Sequence, residues 1–322
     1  MILRFARISY LVAAVTALTG LSQAEDQSPL PRVGVLLATD RSQAGLRQAL
    51  NDLGYVEGKN IVVDWRIASQ GYERLQALAA DLVQSKPDVI LAGGDGASRA
   101  AMQATKSIPL VFTSGDPIVA GYAKSLSHPG RNATGVYVPS PQLTAKRLEL
   151  LMELVPRARR IVYLGNPSNP LAELQLEQVE RAAKALNVKL VRLDIRKRDE
   201  INNALKRVSR KTADAGLVST DVVLASASEE IVRAFRAARL PAVYPWRPYV
   251  EQGGLMYYGV PLQEIYRSAA LYADRILKGA KPNDLPVEEL SKFELVLNMR
   301  EAERLGIQVP QSLRARVTEA IR

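Results

Sequence analysis

One stretch constrains this chain more than any other: residues 88–117, DVILAGGDGASRAAMQATKSIPLVFTSGDP. An apolar run over 88–92 breaks at Gly93-Gly94, a helical stretch follows over 97–106, and a second apolar run over 110–112 ends in Thr113-Ser114-Gly115-Asp116. Strand, glycine turn, helix, strand and polar turn make a βαβ unit. In an open parallel sheet both turns lie at the carboxyl ends of neighbouring strands, where such folds bind ligands.

The same alternation surrounds this unit. Strand patterns over 32–37, 60–66 and 133–138 and helical patterns over 42–53 and 72–84 place it in a doubly wound α/β domain, with a short helix expected over 118–125. Pro139 to Pro141 interrupts the pattern, and the alternation then restarts. Helices are predicted over 143–154, 171–186, 200–209, 228–238 and 262–277, and strands over 160–164, 189–193, 215–219, 242–244, 255–258 and 293–297. The chain ends in a short helix. Two halves of one plan predict two Rossmann-like lobes with parallel sheets joined by hinge strands, residues 32–138 with 258–290 forming one and 139–257 with 291–322 the other.

Composition narrows the chemistry. The 322 residues hold no cysteine and one histidine, which excludes disulfides, thiolate zinc sites and cysteine nucleophiles. His128 sits in a proline-glycine turn and makes a poor general base. Residues 1–24 read as an export signal: Arg4 and Arg7, an apolar run over 10–21, and Ser22-Gln23-Ala24 for cleavage. With no cysteine after it, the mature protein is expected to be released into a periplasm rather than lipid-anchored. Its removal lowers the net charge of +10 by two, and the remaining basic residues alternate with acids along helices. That is a solvated basic face, and no nucleic-acid partner is expected.

The turn Gly93-Gly94-Asp95-Gly96-Ala97-Ser98 lets a ligand approach backbone amides at a helix start. Arg99 occupies the third glycine's place in a dinucleotide fingerprint, and no Gly-Lys-Ser/Thr supplies a phosphate loop. The turn is either a packing device or a cradle for a small carboxylate, held by the amides of Gly96 and Ala97 and the hydroxyl of Ser98. Thr113 and Ser114 offer hydroxyls beside it, whereas Asp116 has a full explanation as a helix cap. In the second half Asn166, Ser168, Thr220 and Asp221 follow strands, and Asp221 would either hold an ammonium group or cap the next helix. Tyr137, Tyr244, Trp246, Tyr257 and Tyr258 cluster near the crossings and serve either ligand stacking or interlobe packing. No catalytic set, metal site or cofactor site emerges.

Several blocks carry a resemblance. The segments IPLVFTSGDPIVAGYAKSLSHPGRNATGV, KRLELLMELVPRARRIVYLGNPSNP, RLPAVYPWRPYVEQGGLMYYG and YADRILKGAKPNDLPVEELSKFELVLNMREAERLGI resemble the ABC transporter substrate-binding protein family that includes tryptophan-binding proteins. The resemblance spans residues 32–310. It implies a type I periplasmic-binding architecture, a small-molecule solute in the cleft, a membrane permease with its ATPase as partner, and no enzymatic activity; a monomer is expected. The family's ligand-facing positions fall on Gly94, Asp95, Gly96, Ala97, Ser98, Thr113, Ser114, Tyr137, Asn166, Ser168, Thr220 and Asp221. Val222-Val223 stand where polar residues follow the Thr-Asp pair in tryptophan binders. That points away from an aromatic amino acid and leaves an amino acid or related small carboxylate. The alternatives are an enzyme on the same fold and the ligand-binding partner of a sensor.

Overall fold

The structure, a computed structural model, describes residues 29–68 and 72–322. The export signal read in residues 1–24 lies outside the described residues. The first half runs β1 (Arg32–Leu37), α1 (Gln43–Asp52), β2 (Val62–Ile67), α2 (Leu75–Gln84), β3 (Val89–Gly93), α3 (Asp95–Ala104), β4 (Leu110–Ser114) and β5 (Ala133–Tyr137). The second runs α4 (Ser140–Leu154), β6 (Arg160–Gly165), α5 (Ala172–Ala185), β7 (Lys189–Asp194), α6 (Ile201–Leu205), β8 (Ala215–Val218), α7 (Val222–Ser226), α8 (Ser228–Ala237), β9 (Ala242–Tyr244), α9 (Arg247–Glu251) and β10 (Met256–Gly259). Then come α10 (Leu262–Leu277), β11 (Glu288–Glu289), β12 (Glu294–Asn298), α11 (Met299–Arg304), α12 (Gln311–Arg314) and β13 (Glu319–Ile321).

These strands form two sheets. The first has the order β11-β5-β4-β3-β1-β2, and all its pairings are parallel. The second has the order β13-β12-β10-β9-β8-β6-β7, parallel except where β12 runs against β10. Numbering each half from its own first strand, β2-β1-β3-β4-β5 and β7-β6-β8-β9-β10 are the same 2-1-3-4-5 plan. Parallel sheets need both faces covered, so their strands read as near-continuous apolar runs. In the first sheet Val35, Leu91, Val111 and Val136 meet α1 and α10 on one face, and Leu36, Ile90, Ala92 and Phe112 meet α2 and α3 on the other. The second sheet is sandwiched in the same way.

The chain passes between sheets after β5, after β10 and between β11 and β12, with Pro139 and Pro261 at the first two passages. Tyr258 and Gly259 pair with Leu295 and Glu294, so this segment stays in the second sheet and the return to the first follows Gly259. Residues 118–125 form turns, not a helix. Asp116 Oδ1 accepts from the amides of Ile118 and Val119, and Gly121 then takes a left-handed φ of 73° that ends the turn. The helix expected over 200–209 stops at Leu205. Among the described residues no helix is long and apolar enough to cross a membrane.

Candidate functional site

The carboxyl ends of β3 and β4 meet at a hydrogen-bonded knot. Gly94 adopts a φ of 86°, which L side chains rarely take. This turns its amide onto Thr113 Oγ1 at 2.7 Å. Ser98, fully buried, donates to the carbonyl of Gly94 at 2.8 Å and lies 3.2 Å from that of Thr113. Its hydroxyl therefore ties the turn to the neighbouring strand. Ala97 is also fully buried in the core. Gly96 has another function: a Cβ there would lie 2.1 Å from the Tyr72 ring. It makes room for Tyr72 to lie across the turn.

Above this knot the two lobes enclose a cavity of about 140 Å³. The first lobe contributes Gly94, Asp95, Thr113, Ser114 and Gly115 to its polar end, and the second contributes Ser140, Arg147 and Thr220. Of the residues expected from the sequence, Gly94, Asp95, Thr113, Ser114 and Thr220 come together here. Gly96, Ala97, Ser98, Tyr137, Asn166, Ser168 and Asp221 do not line this cavity. Tyr137 ends β5 on the opposite side from its neighbours Val136 and Val138, and its hydroxyl donates to Glu289. Ser168 is exposed on a turn, its amide held by Asn166 Oδ1.

Asp221 is fully engaged. It caps α7 through the amides of Val223 and Leu224, and it accepts from Asn166 at 3.1 Å and Asn169 at 3.0 Å. Tyr72, from the first lobe, donates to it at 2.7 Å. Burial pushes its carboxyl up, and the hydrogen bonds from Tyr72, Asn166 and Asn169 oppose that rise. This carboxylate joins the lobes. Arg41 to Ser228 at 3.1 Å and Lys197 to Glu73 at 2.8 Å span them as well.

Two ionisable groups face the polar end. Asp95 Oδ1 accepts from Ser114 Oγ at 2.7 Å and from the Gly115 amide at 3.0 Å. Desolvation nevertheless raises its carboxyl to about 6. Arg147 is 2 % exposed and donates to the Tyr258 carbonyl at 2.7 Å and to Thr220 Oγ1 at 3.0 Å. Desolvation lowers it to about 10, so it stays protonated at neutral pH. Among the described residues no carboxylate lies within ion-pair distance of its guanidinium. Ser140, two helical turns away on α4, has a buried hydroxyl without a hydrogen-bond partner. A buried cation and a free hydroxyl on one wall of a cavity suit an anionic group from outside.

Arg147, absent from the residues expected above, leaves a signal in the sequence. Leu143, Leu150, Leu151 and Leu154 form the buried stripe of α4 at helical spacing, and position 147 falls within that stripe. An arginine inside an apolar stripe needs a partner.

The family model described as ABC transporter substrate binding protein matches residues 37–321. The chain belongs to that family. Among curated proteins, a tyrosine-binding protein of Clostridioides difficile (strain R20291) is 30% identical over 271 residues, covering 84% of this chain and 77% of that protein. A conserved domain protein from Vibrio cholerae shares 30% identity at a TM-score of 0.83, over 91% of this chain and 100% of that one. An ABC domain in complex with L-Trp from Streptococcus pneumonia is 25% identical with a TM-score of 0.82, at the same coverage. The ligand-free, open structure of a substrate-binding protein from Clostridium difficile, also 25% identical, gives 0.61 over 91% of this chain and 99% of that one. At equal identity the overall similarity is higher to the L-Trp complex than to the ligand-free, open form.

Proposed function

We propose that this protein is the solute-binding component of an ABC importer, exported to the periplasm, where it closes its two lobes as a monomer over an amino acid or related small carboxylate. It would then deliver the solute to a membrane permease driven by a separate ATPase. Arg147 carries the reading: a buried guanidinium in an interlobe cavity, with no carboxylate of the described chain beside it, is completed by a carboxylate that arrives with the solute. The relatives named for tyrosine and bound to L-Trp support the amino-acid clause. Binding across both lobes favours the closed arrangement by as much as the solute's affinity for it exceeds that for the open one. Cavity-lining residues that titrate are Asp95, Arg147 and Tyr266, a set suited to holding a zwitterion rather than to nucleophilic chemistry.

Thermal-shift screening of ligand-free, refolded protein against amino acids and carboxylates, followed by calorimetry, tests the reading. A carboxylate solute that binds and is released unchanged is the expected result. Turnover of the solute would instead support an enzyme, and failure of every carboxylate in the panel would refute the proposal.

A further inference from the structure

The cavity has two unlike ends. Along each strand of the first sheet, alternate residues share a face. Stepping inward on the cavity side, Thr113 gives way to Val111, Gly93 to Leu91, and Val138 to Val136. Two residues of strand descend about 6–7 Å. The pouch at that depth is closed by Leu37, by Leu46 from α1 and by Ala269 from α10, each at most 4 % exposed. Two further hydroxyls line the cavity, Ser42 and Tyr266, and Tyr266 donates to Ser42 Oγ at 2.9 Å. A depth of about 6–7 Å is enough to take a leucine or phenylalanine side chain end-on.

At the mouth of the pouch the two charges stand on different lobes. Arg147 in the second lobe lacks an anion, and in the first lobe Asp95 Oδ2 makes no hydrogen bond among the described residues. We propose that the solute is an α-amino acid with a purely hydrocarbon side chain, its carboxylate on Arg147, its ammonium on Asp95 and its side chain in the first-lobe pouch. This rests on the solute-binding reading above and goes beyond it, because it sets the chain apart from a relative named for tyrosine. A phenol seated here would bury its hydroxyl against Leu37, Leu91 and Val111 with no partner. Such burial weakens binding by roughly tenfold to a hundredfold.

The test is calorimetry on refolded wild-type protein with two isosteric pairs, phenylalanine against tyrosine and valine against threonine, and with 3-phenylpropanoate, which lacks the ammonium. The hydrocarbon member of each pair is expected to bind at least tenfold tighter, and phenylalanine at least tenfold tighter than 3-phenylpropanoate. In Val111→Thr, which places a hydroxyl in the pouch, the preference for phenylalanine over tyrosine should shrink to within about threefold. If that variant does not fold, the wild-type pairs decide alone. Tyrosine or threonine binding as tightly as its partner overturns the hydrocarbon pouch while leaving solute binding intact. Equal binding of 3-phenylpropanoate overturns the ammonium subsite. Binding of none of these, nor of any other carboxylate, overturns both this proposal and the function it rests on.

Discussion

Replacing Arg147 with methionine separates binding from folding. Methionine keeps much of the apolar stem and removes the charge. In the wild type, desolvation lowers the guanidinium to about 10, a penalty of about 3 kcal/mol at 1.36 kcal/mol per unit. The variant escapes that penalty but loses the charge-assisted hydrogen bonds to the Tyr258 carbonyl and Thr220 Oγ1, each worth about 1.5–3 kcal/mol net. The two effects partly cancel, so unliganded Arg147→Met should melt within roughly 5 °C of wild type. Its solute is different: truncating one partner of a buried charge pair costs about 2–5 kcal/mol, a loss of roughly 30-fold to several thousandfold in affinity. Calorimetry with the best wild-type solute, paired with thermal melts without solute, reads both quantities. The loss should be constant between pH 5 and 9, since the arginine is charged throughout. An affinity within threefold of wild type would refute the anchor, and an unliganded melt depressed by more than about 10 °C would make Arg147 a structural residue instead.

Asp95 predicts a pH dependence. Its folded carboxyl is raised to about 6 from 3.8, so the native state keeps a proton that the unfolded chain has lost. The stability it contributes is full below pH 4 and declines as pH rises through 6, by up to roughly 3 kcal/mol. Asp95→Asn should therefore be the more stable protein at pH 8 and match wild type at pH 4 in denaturant titrations. Solute binding should weaken about tenfold per unit below pH 6 in wild type, and that slope should vanish in Asp95→Asn. Tyr72→Phe removes one hydrogen bond to the Asp221 carboxylate, worth about 1.5–3 kcal/mol of closure. Stopped-flow should show solute dissociation faster by about tenfold or more with association little changed. Gly96→Ala puts a methyl 2.1 Å from the Tyr72 ring and should produce the same fast dissociation, with no further loss in the double variant.

The doubly wound architecture was legible because apolar runs and helical periodicity alternate with few interruptions, and both halves yield the same 2-1-3-4-5 order. Residues 118–125 misled because Ile118, Val119 and Tyr122 mimic helical spacing, while the side chain of Asp116 and the left-handed Gly121 decide for a turn. At the candidate site, the sequence pointed to strand ends that line the cavity but not to the direction of their side chains. Ser98 was expected to offer its hydroxyl to a solute, and it spends it on the carbonyl of Gly94. Asp221 looked suited to an ammonium group, and its oxygens already accept from Tyr72, two asparagines and two amides. Tyr72 is 149 residues away along the chain, a pairing that no local pattern reveals. Arg147 was legible in principle, but only to a reading that treats a charge in an apolar stripe as a question.

The placement of the interlobe bridges has a mechanical consequence. The chain crosses between sheets beside β5 and β11, at one edge of the first sheet, whereas Arg41 follows β1 and Tyr72 follows β2, at the other edge. Four strand spacings separate β5 from β2, about 19 Å. On that lever arm a rotation of about 20° carries the rim through about 7 Å, far beyond hydrogen-bond reach, while backbone at the pivot scarcely moves. The bridges therefore behave as a catch at the free edge of a door. They resist the first few degrees of swing and nothing afterwards, so a modest pull on either lobe, such as docking to a membrane partner, would spring the catch without unfolding any strand.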